Sequence, residues 1–361
     1  MKKILQSSAI SLALLATAAS AQSPVCNTRN FKPVPGITTV VDAQGITLTW
    51  SGEHDQQLRA RFALRNGQPV VAELAARTKS GPWISLANDL APQFEVTTGK
   101  RRMANTEMDI LKKQNAVTPE NLERYKWNVF WDAPLVINGH SHLVGPARTP
   151  DEVARAASAF ASTNCTVTSD GARVSVAFNG LTLGLFAGDL QFTVYKGSNL
   201  LRQEAIASTQ ADSVAYIYKA GLKGFQIADD TKLVWRDTSQ VWQENHFGGQ
   251  INQQPVNLRA RNRLEILESG AGSLAILPPP HKFFFARENE VNLGYVFYRK
   301  DNEKSVTLGV MQPEHGEGYA PWGITDEVWK RRSGVAREQT ENYALYNAPR
   351  EPSSAWPSTF T

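Results

Sequence analysis

The sequence predicts an all-β protein, a large antiparallel two-sheet sandwich with a short helical excursion around residues 103–160. Three observations carry this. Short runs rich in Val, Ile, Thr and aromatic residues alternate apolar with polar side chains, the period-2 signature of half-buried strands. Turn-forming groups such as Ala43-Gln44-Gly45, Asn66-Gly67 and Ser80-Gly81-Pro82 divide these runs. No comparable set of helical periods lies among them, so an α/β fold, which needs a helix between successive parallel strands, is excluded.

Taken in order, the chain opens as an export signal. Lys2 and Lys3 form a positive n-region, Ile4 to Ala18 an apolar core, and Ala19-Ser20-Ala21 a small-x-small cleavage site before Gln22. The apolar run is too short to span a bilayer, which takes about 20 residues. Val25 before Cys26 breaks a lipobox. Cleavage would leave 340 of 361 residues, enough for one extended β-domain or two packed ones. It would also remove two lysines and no acid, dropping the formal charge from +4 to +2. That balance, with Lys330-Arg331-Arg332 the longest basic run near the end, excludes nucleic acid as a partner. The chain has two cysteines, Cys26 and Cys165, and in an oxidising compartment such a pair is expected to form a disulfide.

Residues 38–96 read as an antiparallel meander of ITTVVD, GITLTW, LRARFALR, PVVAELAAR and PWISLAND. Asn66-Gly67 between two alternating runs marks a hairpin whose turn needs φ > 0 at both central residues. Residues 97–160 break the pattern. Thr118-Pro119-Glu120 offers a helix start, and Thr149-Pro150-Asp151-Glu152 a better one, with a capping Thr, Pro at the first helical position and a capping-box Glu. That second helix is expected to reach about Phe160. Residues 22–100 and 161–349 then pack as one domain, with 101–160 an insertion.

From Thr166 strands return: TVTSD, ARVSVAF, LTLGLF, LQFTVYKG, LLRQEAIAS, SVAYIYKAG, KLVWRD, VNLRARNRLEILE, SLAILP and SVTLGVMQ. The densest stretch is Pro278 to Asp301, PPPHKFFFARENEVNLGYVFYRKD. Three prolines stop what precedes it and a strand-like run follows. Alternation puts Arg287 on one face and Glu288 and Glu290 on the other, and two carboxylates so close call for a cation opposite them.

Candidate chemistry sits in a few places. Arg259, Arg261 and Arg263 alternate in VNLRARNRLEILE, so a strand there projects all three from one face, a fork suited to carboxylates or sulfates. Nine tryptophans, among them Trp83, Trp127, Trp131, Trp235, Trp242, Trp322 and Trp329, include several in irregular surroundings where an aromatic ring serves as a platform for sugar rings. Arg259, Arg261, Arg263, Arg287 and Trp131 are thus the candidate ligand-binding residues. His281, Glu288, Glu290 and Tyr295 are the candidate catalytic ones. His140 and His142 in Gly-His-Ser-His lack the further ligands a metal needs, and Glu314-His315-Gly316-Glu317 reads equally as a polar loop. No metal site and no cofactor is expected, and there is no nucleophile-elbow, Walker or dinucleotide-binding pattern.

FAGDLQFTVYKGSNLLRQEAIAS, SVAYIYKAGLKGF, PPPHKFFFARENEVNLGYVFYRKD and NYALYNAP together resemble a family of exported bacterial proteins without an assigned substrate, over most of residues 35–349. The resemblance implies a β-rich region preceding a metal-dependent hydrolase-like domain of the polymerase-and-histidinol-phosphatase (PHP) type, none of whose ligand motifs occurs in this chain. The β-rich region also looks like the super-sandwich of galactose-mutarotase-like and polysaccharide-lyase proteins, an analogy of fold alone. The expectation is an exported module that binds a poly- or oligosaccharide or packs against a partner domain. Its alternative is a lyase or hydrolase acting on an acidic glycan.

Residues 350–361 carry two prolines and three serines with no alternating apolar face, and are expected to be irregular. One back-translation of them, read in a shifted frame, gives the strand-like GTIQRMAVYFY, so a frameshift after Pro349 is an expectation too.

The leader reading predicts that the exported protein, sequenced from its N-terminus, begins at Gln22. Retention of residues 1–21 would refute it.

Overall fold

The computed structural model describes residues 25–100, 105–125, 153–211, 214–237, 239–252, 254–278, 296–311 and 354–360. The chain opens with β1 (Val25–Asn27), then the meander β2 (Ile37–Asp42), β3 (Gly45–Ser51), β4 (Gln56–Arg65), β5 (Gln68–Thr78) and β6 (Ile84–Lys100). Helices α1 (Asn105–Lys113) and α2 (Pro119–Tyr125) follow. Strands then resume with β7 (Ala154–Ala157), β8 (Ala159–Phe160), β9 (Asn164–Asp170), β10 (Arg173–Leu183), β11 (Phe186–Tyr195), β12 (Leu201–Ser208) and β13 (Val214–Gln226). The last group is β14 (Lys232–Arg236), β15 (Trp242–Asn245), β16 (Val256–Leu258), β17 (Glu265–Ser269), β18 (Gly272–Leu277), β19 (Val296–Asn302), β20 (Ser305–Met311) and β21 (Ser354–Phe360).

Among the described residues these strands form two large sheets. The first runs β1-β9-β10-β11-β12-β21-β18-β17-β14-β15, with β8 on β10. The second runs β16-β19-β20-β13-β6-β5-β4-β3-β2, with β7 on β6. The pairs are antiparallel except β1 with β9, which is parallel and brings Cys26 opposite Cys165. The two cysteines form a disulfide across 139 residues. In the chain-entropy model a loop of that size contributes about 5 kcal/mol at most.

The inner faces meet as a continuous apolar layer. Phe62 of β4 stacks on Phe192 of β11, ring centroids 4.5 Å apart, and Phe178 of β10 meets Phe192 edge-on at 6.4 Å. All three are fully buried. Losing one such ring to Ala costs about 3–5 kcal/mol in a packed core. Trp50 joins the layer while its indole N–H donates to the Ser198 carbonyl at 2.8 Å, so its polar edge is satisfied.

Local chemistry explains the connections. The β4–β5 turn holds Asn66 at φ 53° and Gly67 at φ 76°, the left-handed pair that Asn-Gly accommodates. Thr118 starts α2, its hydroxyl accepting from the Asn121 N–H at 3.3 Å.

Four expectations are corrected. The helix expected to reach Phe160 is replaced by β7, which pairs with β6, and β8, which pairs with β10. Its small residues lack the apolar stripe a helix would bury, and open sheet positions take them instead. VNLRARNRLEILE is not one strand: β16 ends at Leu258, Arg261–Arg263 form a 3-10 turn, and Arg263 stands at φ 55°. LTLGLF is divided, because β10 ends at Leu183 and β11 starts at Phe186. Finally, Ser354–Phe360, expected to be irregular, pair between β12 and β18. There Pro357 stands opposite Glu204 and offers the ladder no N–H. Of the stretch Pro278 to Asp301, residues 279–295 lie outside the described ones, and β19 covers its end.

Two buried polar side chains cross the sandwich. Gln203 of β12 donates its amide to the Gly221 carbonyl on β13 at 3.2 Å. Glu265 of β17 accepts from the Gly309 N–H on β20 at 3.1 Å, and its other oxygen has no partner among the described residues. Gly221 and Gly309 are register partners. A Cβ on Gly309 would stand 2.4 Å from the Ala220 carbonyl oxygen and 2.9 Å from the Phe297 ring, so glycine is a packing requirement there. Full burial pushes the Glu265 carboxyl well above the ordinary carboxylate range of 4.5. The folded state therefore keeps a proton that the unfolded chain gives up, and stability falls as pH rises from about 4.5 toward the folded value.

Glu265→Gln removes that linkage. The variant should match the parent in urea unfolding near pH 4 and gain on it at higher pH, by roughly 1.4 kcal/mol per pH unit until the folded pKa is reached. A gap that stays constant across pH would refute the assignment.

Candidate functional site

The outer face of β4 and β5 carries the cationic site. Phe62 and Ala60 point into the core, so alternation turns Arg59 and Arg61 outward. Register brings Arg61 opposite Glu73, Arg59 opposite Ala75 and Gln57 opposite Arg77. Arg59 grips Glu73 with both prongs, Nε to Oε2 at 2.8 Å and Nη2 to Oε1 at 3.0 Å. Arg77 donates its Nε–H to Gln57 at 2.8 Å.

Trp83, in the connection from β5 to β6, receives both guanidinia. The Cζ of Arg59 lies 4.3 Å from the indole ring centroid and that of Arg77 lies 4.5 Å away. Such contacts hold the cations by the ring's quadrupole. They leave the in-plane N–H groups to other partners. A guanidinium has five N–H donors. Arg59 spends two on Glu73 and Arg77 one on Gln57, which leaves most of the fork's capacity unspent among the described residues. Among the described residues one carboxylate, Glu73, stands with Arg59, Arg61 and Arg77 on this face, which is net positive. Glu73 is held by both prongs of Arg59.

Arg59 and Arg77 themselves point away from the sandwich interior, on whose side the same strands border a cavity of about 280 Å³. Its wall includes Trp50, Leu58, Leu74 and Leu86 from the second sheet and Leu201 and Leu274 from the first. Asn199 and Gln56 stand in the same lining, hydrogen-bonded to each other at 2.9 Å.

A second charged cluster lies on the outer face of β6, β13, β19 and β20, and it is chemically different. Lys219 pairs with Glu95 at 3.1 Å, and Arg299 pairs with Glu95 at 3.7 Å and Asp301 at 2.9 Å. Arg299 also donates to Gln93 at 3.0 Å, and the Thr307 hydroxyl to Asp301 at 2.5 Å. Two cations face two anions, and the Asp301 side chain is only 7% exposed. This network is closed on itself. It ties four strands together and leaves no net charge for a ligand.

The residues singled out from sequence are placed as follows. Arg259 and Arg261 are exposed and Arg263 half-buried, but the 3-10 turn keeps them from forming one strand face. His281, Arg287, Glu288, Glu290, Tyr295 and Trp131 lie outside the described residues, as do Trp127, Trp322 and Trp329. Trp235 packs against the core, and Trp242 is 58% exposed with Arg236 6.0 Å from its ring. The arginines of the site were missed although their signal was legible. Leu-Arg-Ala-Arg occurs at 58–61 as well as at 258–261, and pairing back from the Asn66-Gly67 turn brings Glu73 beside it, with one bulge at Arg61/Phe62.

Fold and site together define a two-sheet β-sandwich with a cationic, aromatic surface site. No family model and no curated protein matches the chain. The expected kinship with a family that precedes a metal-dependent hydrolase domain therefore has no support. Among solved structures the chain is similar to a protein from Escherichia coli K12 assigned as an aldose 1-epimerase, at 10% identity and a TM-score of 0.35, over 90% of this chain and 98% of the other. It is also similar to the GH36 α-galactosidase AgaA from Geobacillus stearothermophilus, at 8% identity and a TM-score of 0.35, over 87% of this chain. It spans 40% of that enzyme's length. At these scores neither a residue correspondence nor an activity follows from either.

The closed network makes a stability prediction. Arg299→Ala takes the cation from the nearly buried Asp301 carboxylate while Glu95 keeps Lys219, and should lower the unfolding free energy by roughly 3 kcal/mol or more, measured in urea. A loss under about 1 kcal/mol would place these charges with ordinary screened surface pairs.

Proposed function

We propose that the protein is an exported β-sandwich that binds an acidic saccharide on the outer face of β4 and β5. One observation carries the reading: Arg59 and Arg77 lie over the half-buried ring of Trp83 with donors to spare. Guanidinium forks match carboxylate and sulfate geometry. Their attachment to Trp83, Glu73 and Gln57 holds them before the ligand arrives, which lowers the ordering cost of binding. Trp83 adds an apolar edge for the faces of sugar rings. The catalytic alternative, a lyase or hydrolase, rests on His281, Glu288, Glu290 and Tyr295, and no described residue favours it.

Calorimetry against polyuronates, sulfated glycans and their neutral counterparts tests the proposal. Acidic polymers should bind and neutral ones should not, with affinity falling as salt rises. Trp83→Ala should weaken binding about tenfold, since a cation–π contact at a partly desolvated site is worth roughly 1–2 kcal/mol. Equal affinity for neutral and acidic glycans would overturn the reading.

A further inference from the structure

A sheet ends on strands that pair on one side, and the open side offers backbone donors and acceptors to another chain. Among the described residues the first sheet ends on β1 and β15 and the second on β16 and β2. β1 and β16 are three residues long, and β15 is four residues long with Glu244 in it. β2 differs. It runs six residues, Ile37-Thr38-Thr39-Val40-Val41-Asp42, with no proline, glycine or lysine and no charge before Asp42. Val40 and Val41 stand 47% and 40% exposed.

The open part of this edge has definite limits. Gly36 accepts a hydrogen bond from the Ser51 N–H of β3. Backbone groups alternate sides along an antiparallel strand, so Thr38, Val40 and Asp42 turn theirs to β3 while Ile37, Thr39 and Val41 turn theirs away. Ile37 donates its N–H to the Val34 carbonyl, which closes that end. After Asp42 the chain turns back through Ala43-Gln44 into β3. The open window is therefore Thr38–Asp42, and its midpoint is Val40. Within it, Thr39 and Val41 keep their N–H and C=O groups unpaired among the described residues.

We infer that a second copy of this chain pairs antiparallel with β2 about a two-fold axis at Val40, joining the second sheets of the two copies. Residues opposite each other in a ladder share a sheet face, so a strand meets its own copy in registers centred on a residue. Centred on Val40, Thr39 of each copy stands opposite Val41 of the other as a hydrogen-bonded pair. Every N–H and C=O group of these residues then has a partner. Val40 of one copy covers Val40 of the other on the outer face, as β-branched cross-strand pairs do. Asp42 stands opposite Thr38, so no like charges oppose each other. Each copy's chain turns away at Ala43, where Val34 of the other already occupies the edge. The window is symmetric about its own midpoint and its donors match its own acceptors, which makes a copy of β2 the strand that fits it.

Sedimentation equilibrium of the purified protein over a concentration series tests this. The parent should pass from monomer to dimer as concentration rises. Val40→Lys sets two ammonium groups against each other at the axis. Thr39→Pro removes an edge N–H that no bond within the chain uses, a position where a strand tolerates proline. Each should weaken dimerisation at least about tenfold, since the two-fold repeats every loss. Thermal melting checks that the variants are folded, and if Thr39→Pro is not, the exposed Val40→Lys decides. Val241→Lys, at the exposed apolar residue beside β15, serves as the control and should leave dimerisation unchanged. A parent that stays monomeric at every concentration would overturn the inference. So would a dimer as strong in folded Val40→Lys as in the parent, or one weakened by Val241→Lys instead, which would move the interface to β15.

Discussion

Phe62 lies on Phe192, and much of the molecule's second sheet follows from that contact. The two rings belong to opposite sheets, with centroids 4.5 Å apart and both side chains fully buried. A strand has a period of two, so fixing Phe62 inward fixes Ala60 inward and Arg59 and Arg61 outward. A slip of one residue would bury two guanidinia and expose the ring. The cost of that exchange holds the register. The register in turn sets Glu73 and Arg77 beside Arg59, and with them the position of Trp83.

The same sheet shows two ways of handling charge. Around Glu95, Lys219, Arg299 and Asp301 each charge meets an opposite one, and the near burial of Asp301 makes the loss of its cation costly. Around Trp83 the cations outnumber the acids, and their aromatic partner offers a face rather than a counter-charge. A balanced network stabilises strand pairing. An unbalanced one leaves donors unspent, and this contrast, more than the number of arginines, sets the cluster around Trp83 apart.

Between the sheets, Gln203 and Glu265 supply what an all-apolar core lacks. They meet a carbonyl and an N–H of the paired glycines Gly221 and Gly309, where the strands approach too closely for a Cβ. Buried polar contacts of this kind specify which strand lies over which, because any other alignment leaves the backbone groups unpaired. The Cys26–Cys165 disulfide does comparable work at the sheet edge, holding the parallel strand β1 against β9.

Alternation, turn chemistry and the absence of helical periods were enough to read the all-β class, the meander over residues 38–96 and the hairpin at Asn66-Gly67, because each depends on neighbours close in sequence. Thr118-Pro119-Glu120 marked its helix for the same reason. What local chemistry leaves open is visible in Leu-Arg-Ala-Arg, which the chain contains twice. At 58–61 the next inward position is Phe62, which has a ring in the opposite sheet to stack on, and the strand continues. At 258–261 the chain turns into a 3-10 bend after β16. Residues 154–160 and 354–360 make the same point, since neither has a strand's apolar alternation and both pair because flanking strands present open backbone groups. Which of two identical tetrapeptides continues as a strand depended on a side chain more than a hundred residues away, Phe192, and a contact of that range exists only once the two sheets have packed.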